Sequence, residues 1–333
     1  MEKNGFLYRV LIGIFLFVLI NCDNRDLTDY DDPYEGITVF IAGNYWDGDK
    51  RIACYWKNGV KTDLISVPGW SHAYGITEND GSVYIVGDYF GESHWIPCYW
   101  KNGIKTDLTS EYGSAAHSIA VIDGSIYILG SSLIDGEDTA CYWKDGIRIV
   151  LQGRGFASSI IINDTSVYIA GGYLDGVDKA CYWKDGIKIE LDGSRATGII
   201  ENEGSIYISG YYYDNLNKRF RACYWKDGIR FDLNGSQTTG ITKNAGSIYI
   251  SGTYSDGMTS WACYWKDGVR IELSKGTEEY SMANDIIVFK DIIYIVGTVR
   301  IGGNEIACFW KNGARINFSK GTTMVNANGI IVK

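Results

Sequence analysis

A short signature, Ala53-Cys54-Tyr55-Trp56-Lys57-Asn58-Gly59, returns six more times with small changes. Its cysteine recurs at Cys98, Cys141, Cys181, Cys223, Cys263 and Cys308, at intervals of 44, 43, 40, 42, 40 and 45 residues. A repeat of about 40–45 residues has the length of a four-stranded propeller blade. One such unit cannot bury its apolar face alone, so neighbouring units must stack. With 41 Gly, only 3 Pro and 14% aromatic residues, the chain suits many short strands joined by tight turns.

Residues 116–151 show the unit in full. His117–Ile122 reads as strand a, and Asp123-Gly124-Ser125 as a turn in which Asp-Gly supplies positive φ angles. Ile126–Gly130 reads as strand b, Ser131–Asp138 as a polar loop, and Ala140–Trp143 as strand c. Lys144-Asp145-Gly146 is a second hairpin turn, leading into strand d, Ile147–Leu151. Strand a pairs a small residue with an Ile at Gly75-Ile76, Ser118-Ile119, Ser159-Ile160, Gly198-Ile199 and Gly240-Ile241, which suits a crowded inner strand; Asp285-Ile286 departs from this.

The two ends of the repeat region complement each other. Ile37–Gly43 matches strand b with no strand a before it, and Asn326–Val332 matches strand a with nothing after it. The C-terminal strand is therefore expected to complete blade 1 and leave no exposed edge. The expected fold is all-β: a seven-bladed β-propeller over residues 36–333, with four antiparallel strands per blade.

The repeat resembles two known families. Tyr168-Ile169-Ala170-Gly171-Gly172 is similar to the strand end of Kelch-like repeats. The stretch from Trp56 to Leu64, Trp-Lys-Asn-Gly-Val-Lys-Thr-Asp-Leu, resembles the bacterial HAF-type extracellular repeat. Both resemblances imply a propeller, the second an extracytoplasmic setting, and neither an activity, because such folds host unrelated functions.

Residues 1–22 read as a signal peptide. Lys3 and Arg9 precede an apolar run, Val10–Ile20, too short for a comfortable membrane span. The run ends in Leu19-Ile20-Asn21-Cys22, which resembles the lipobox of bacterial lipoproteins, with Asn21 where Gly or Ala is usual. That resemblance implies a lipidated Cys22 as the first mature residue, and acyl chains that hold the protein to a membrane. Residues 23–35, rich in Asp, read as a flexible acidic tether. The expected address is the cell envelope, on the extracytoplasmic side of a membrane, at the outer membrane or cell surface.

The other seven cysteines occupy one equivalent position in seven units. Adjacent copies should then lie more than about 10 Å apart, beyond bridging distance, so buried free thiols are expected and no disulfides. The net charge of −9 excludes a nucleic-acid partner of the usual basic kind. The chain carries no nucleophile elbow, phosphate loop or metal-ligand spacing, so no catalytic residue, metal or cofactor is assigned and the chain is read as a monomer that is not an enzyme.

Function is expected on one face. The a–b and c–d connections are short and uniform, while the b–c and d–a connections vary, and variable loops on a rigid scaffold are where binding residues concentrate. The four Trp outside the repeat signature, Trp46, Trp70, Trp95 and Trp261, fall in or beside these loops, as do Tyr89, Phe90 and Tyr212. These seven are the candidate ligand-binding residues, suited to a protein, peptide or glycan. His72, His94 and His117 map to the same face. An enzyme acting on glycans and a purely structural envelope protein remain alternative readings.

Overall fold

The computed structural model describes residues 32–64, 69–108, 114–163, 165–255, 257–273, 278–318 and 325–333. The signal peptide, Cys22 and residues 23–31 of the expected tether lie outside them. Gly36–Lys333 form one compact unit. Asp32–Glu35, the described end of the preceding unit, form a turn in which the Glu35 amide donates to the Asp32 carbonyl at 3.0 Å.

The described residues hold 27 strands and no helix. Repeat 1 contains β1 (Val39–Trp46), β2 (Arg51–Lys57) and β3 (Val60–Asp63). Repeat 2 contains β4 (Ser71–Asn79), β5 (Ser82–Phe90), β6 (Trp95–Lys101) and β7 (Ile104–Asp107), the a, b, c and d strands in order. Repeat 3 continues with β8 (Ala115–Ile122), β9 (Ser125–Ile134), β10 (Glu137–Lys144) and β11 (Ile147–Asn163). Within each repeat, strands adjacent in the chain pair antiparallel. Five sheets have four strands, and one has seven because β11 serves as strand d of repeat 3 and then as strand a of repeat 4.

Two expectations from sequence need correction. The polar loop Ser131–Asp138 does not exist as a loop. Strands β9 and β10 run on to Ile134 and from Glu137, leaving a two-residue turn, Asp135-Gly136, with φ of 52° and 79°. Strand d of repeat 3 does not end at Leu151 either. Polarity misled in both places, because a strand on the rim alternates with solvent and needs few apolar residues.

The last strand, β27 (Asn326–Val332), pairs antiparallel with β1 from Val39↔Val332 to Asn44↔Asn326. Repeat 1 thus takes its strand a from the far end of the chain.

Every repeat is built around a strand-b glycine: Gly43, Gly87, Gly130, Gly171, Gly210, Gly252 or Gly297. Each pairs with the signature cysteine of strand c. A Cβ at any of these glycines would lie 1.9–2.2 Å from a strand-a carbonyl oxygen. At Gly87 it would also lie 3.1 Å from the Trp100 ring, which fills the space above. Strand a carries a β-bulge beside each glycine, with one extra residue: Asn328, Tyr74, His117, Ser158, Thr197, Thr239 and Asn284 in repeats 1 to 7. A bulge bends its strand and re-aims a side chain.

In five of the seven repeats the re-aimed side chain reaches the next repeat. Asn328 Nδ2 donates to the Ala73 carbonyl at 2.8 Å, and the Tyr74 and His117 rings meet edge-on at 5.3 Å. Repeats 3 and 4 share β11. Repeat 4 reaches repeat 5 through the residue after its bulge, Ser159, whose Oγ accepts from the Ile199 amide at 3.3 Å, and Thr197 bonds Thr238 at 2.7 Å. Thr239 Oγ1 donates to the Ala283 carbonyl at 2.9 Å, and Asn284 Nδ2 to the Ala327 carbonyl of β27 at 2.7 Å. The series of contacts returns to repeat 1.

Between repeats lie apolar layers. Strand-c Trp100, Trp143, Trp183, Trp225 and Trp265 are fully buried. The seven signature cysteines are buried free thiols, and burial pushes Cys141 and Cys181 up to about 12. They act as small apolar side chains opposite glycine.

Asp285 replaces the small strand-a residue in repeat 7. Its carboxylate accepts from its neighbour's amide, Ile286 N, at 2.8 Å and from Ile330 N of β27 at 3.2 Å. Burial outweighs these two bonds and pushes its carboxyl up to about 6.

Two outcomes test this packing. By urea unfolding, Gly87→Ala should cost about 3 kcal/mol through overpacking. Gly103→Ala, at φ +82 with nothing within 4 Å, should cost only about 1–2 kcal/mol of backbone strain; equal costs would contradict the close approach. Because the folded carboxyl of Asp285 is raised, its contribution to stability is fully present below about pH 4 and is lost as pH rises through about 6. Stability of Asp285→Asn relative to the unaltered chain should therefore rise between pH 4 and pH 7, by on the order of 2 kcal/mol; a pH-independent difference would contradict it.

Candidate functional site

The two faces differ as expected. The c–d hairpins are uniform Asn-Gly or Asp-Gly turns, with positive φ at both residues, as at Asn58-Gly59 and Asp145-Gly146. The opposite face carries the varied b–c and d–a connections, and the seven expected aromatics divide between two roles there.

Tyr89 and Tyr212 serve the scaffold. Tyr89 is buried in the core of repeats 1 and 2. Its hydroxyl donates to Asp107 at 3.2 Å, and Lys105 Nζ lies 4.0 Å from its ring. Tyr212 repeats this with Asp232 at 3.1 Å and Arg230 at 4.0 Å. Tyr45 does so with Asp63 at 3.0 Å and Lys61 at 3.2 Å. Each is a strand-b Tyr covered by a strand-d cation whose charge is met by a carboxylate two residues on. Trp261 is half-buried against the repeat 6 core. Tyr89 in particular offers no surface to a ligand, which corrects its placement among the binding residues.

The other four come together around repeats 1 and 2. Trp46 and Trp70 meet edge-on at 5.4 Å, and Trp70 stays 43% exposed. The Trp70 carbonyl accepts from the Phe90 amide at 2.8 Å, and Phe90 meets Trp95 edge-on at 5.6 Å. Trp95 in turn stacks on His72 at 4.8 Å.

His72 leads to a group that sequence reading missed. Its Nδ1 bonds Asp88 Oδ1 at 2.9 Å, and Asp88 is only 5% exposed. The Tyr74 hydroxyl donates weakly to the same carboxylate at 3.4 Å; burial and the Asp88 charge push that phenol well above its usual range. Next to them Arg51 Nη1 donates to buried Asn44 at 2.9 Å. Asp88 follows the strand-b glycine, where other repeats carry Asn44, Ser131, Gly172, Tyr211, Thr253 and Thr298. Aligning the repeats on that glycine would have singled it out as the one acidic residue at that position.

The group extends toward the inner strands through Tyr74 to His117. His117 is exposed in relative surface yet closely surrounded; desolvation lowers its pKa, with Arg195 adding to the effect and Asp88 opposing it. It borders a cavity of about 400 Å³ that is also lined by Ser158, Thr197, Thr239 and Asn284, the bulge residues, together with Arg195. The Arg195 guanidinium lies 3.9 Å from the Phe156 ring. His94 has Ser93 Oγ at 3.2 Å from its Nδ1. Among the described residues no three His, Cys, Asp or Glu side chains converge as metal ligands.

Chemically the site offers an exposed indole platform, an imidazole oriented by a carboxylate, and a guanidinium and amide at its edge. It can stack on a flat or apolar group and bond polar ones. Asp88 fixes the His72 ring, and His72 Nε2 has no hydrogen-bond partner among the described residues.

No family model matches the chain, and no curated protein matches its sequence. Solved structures do. An acylaminoacyl peptidase from Pyrococcus horikoshii aligns with a TM-score of 0.52 at 14% identity, over 85% of this chain and 50% of that one. An acylaminoacyl peptidase in complex with Z-Gly-Gly-Phe-chloromethyl ketone aligns at 0.53 and 13% identity, over 86% and 51%. The β-propeller domain of the Trilobed protease from Pyrococcus furiosus, which has an open velcro topology, aligns at 0.50 and 10% identity, over 85% and 94%. These likenesses show the fold alone, which is of the β-propeller type. The chain spans about half the length of the two acylaminoacyl peptidases.

Proposed function

We propose that this chain is a lipid-anchored, extracytoplasmic binding module, built as a closed seven-bladed β-propeller of Kelch-like or HAF-type repeats. It holds a protein, peptide or glycan on the b–c/d–a face, at the cluster formed by Trp46, Trp70, Phe90, Trp95, His72 and Asp88. Cys22 carries the lipid, and residues 23–35 tether the domain to the membrane.

The observation that carries the reading is the packing of His72 between a buried carboxylate and the Trp95 ring. A buried Asp–His pair on strands β4 and β5 is a rigid polar anchor, and the exposed Trp70 beside it supplies contact area at low entropic cost. Closure is supported by the β1–β27 pairing and by the bulge contacts that flank it, Asn284 to Ala327 and Asn328 to Ala73. The peptidase activity in the names of the fold relatives is not carried over, since their likeness extends over half of each protein. Among the described residues no Ser, Thr or Cys side chain bonds His72, so no acyl-transfer triad is formed there.

The test is a screen of the purified chain on glycan and peptide arrays, with each hit re-measured on variants. Trp70→Ala and Trp95→Ala together, and Asp88→Asn alone, should each weaken binding about tenfold or more, a loss of about 1.4 kcal/mol. The exposed Trp70 position should leave the melting temperature nearly unchanged. Affinity that survives all three changes would place the ligand elsewhere. Cleavage of a bound glycan, lost in Asp88→Asn, would replace the binding reading with the enzymatic one.

A further inference from the structure

The inner-strand bulges of five successive repeats meet around one cavity of about 400 Å³. His117, Ser158, Thr197, Thr239 and Asn284 all line it. The wall continues with the residues two positions before three of these bulges, Phe156, Arg195 and Gln237. None of the lining residues adjoins in sequence a residue outside the described ones. Among the described residues the lining thus carries one guanidinium, one imidazole and several hydroxyls and amides, and no carboxylate.

Local structure aims Arg195 into this space. It opens β15 (Arg195–Asn202), strand a of repeat 5, and reaches back over repeat 4, where its guanidinium lies 3.9 Å from the Phe156 ring. From there its charge acts on His117 of repeat 3. The Phe156 ring is itself fixed, lying so close over its paired residue Gly172 that a Cβ there would come within 2.7 Å of it. Stacking uses the flat side of a guanidinium and leaves its N–H edge open. Among the described residues the Arg195 guanidinium makes no hydrogen bond or ion pair. The Ser158 hydroxyl, the Gln237 amide and the His117 ring nitrogens likewise have no hydrogen-bond partner among the described residues. Asn284 commits Nδ2 to the Ala327 carbonyl and keeps its Oδ1. Desolvation favours the neutral form of His117, which both donates and accepts.

We propose that this cavity is a second binding site, sharing no residue with the aromatic cluster, for a sugar that bears a carboxylate. The open edge of Arg195 takes the carboxylate as a charge-assisted pair. Sugar hydroxyls both donate and accept, and so do the Ser158, Gln237 and His117 side chains that share the wall with the guanidinium. A peptide end also carries a carboxylate, but its side chains need an apolar wall, and the one Phe of the lining is covered by Arg195. A free amino acid needs a carboxylate to meet its ammonium group, and among the described residues none lines the cavity. The volume of about 400 Å³ falls in the range of small-molecule pockets, about 300–1,000 Å³. Holding Arg195 on Phe156 beforehand reduces the ordering cost of binding.

The test is calorimetric titration of the full chain with galacturonate and glucuronate, with galactose and glucose as their neutral counterparts and N-acetyl-diglycine as a peptide end. At least one of the two acids should bind at a single saturable site, more weakly as salt is added. Its neutral counterpart should bind about tenfold more weakly or worse. Arg195→Gln should weaken binding of the acid about tenfold and bring it down to the neutral sugar, and Arg195→Lys should do so less. Lys243→Gln removes one positive charge paired with Glu201 beside an a–b turn, and as the control it should change nothing. Arg195→Gln breaks no hydrogen bond or ion pair among the described residues, so its melting temperature should hold and a folding defect cannot imitate the loss. No saturable binding of either acid, equal binding of acid and neutral sugar, or tighter binding of N-acetyl-diglycine would each overturn the proposal. So would binding of the acid that survives Arg195→Gln and is lost in the Trp70→Ala, Trp95→Ala chain, which would place the sugar on the aromatic cluster instead.

Discussion

The contact on which each repeat depends is the strand-b glycine, pressed between a bulged strand-a carbonyl and the strand-c tryptophan. The backbones approach so closely that any side chain at Gly87 would overlap the His72 carbonyl. That approach lets the Trp100 ring lie over the glycine and fill the layer between sheets. It also explains the signature cysteine, which pairs directly with the glycine and keeps a small apolar group beside the indole. In five repeats the bulge that accommodates the glycine also turns a side chain toward the neighbouring repeat. One local packing rule thus produces both the sheet and its attachment to the next.

Much of this was legible in the sequence. The cysteine spacing gave the period, the Asn-Gly and Asp-Gly pairs marked the hairpins, and the unmatched ends implied the pairing of β27 with β1, which the register bears out. The bulges were not legible. An extra residue in an inner strand leaves composition unchanged, and the small residue at Gly75 hid the more telling neighbour, Tyr74. Polar runs such as Ser131–Asp138 looked like loops because rim strands need little apolar sequence.

The site was half legible. Unusual Trp and Phe residues pointed to the varied face, and four of the seven candidates come together there. The scaffold contacts of Tyr89 and Tyr212 were not legible, because a tyrosine under a strand-d cation is recognisable only across three paired strands. Asp88 was missed because its partner His72 lies 16 residues away, on the paired strand rather than at any motif spacing.

The account rests on β27 completing repeat 1, with Asn284 and Asp285 of repeat 7 on one side of it and Ala73 of repeat 2 on the other. The most direct test is calorimetric unfolding of the chain ending at residue 324, with and without a synthetic peptide of residues 325–333. The account predicts a markedly lower melting temperature for the shortened chain, because β1 is left with a bare edge and buried Ala327, Ile330 and Val332 are lost. Adding the peptide should restore most of the difference. An unchanged melting temperature in the shortened chain would contradict closure.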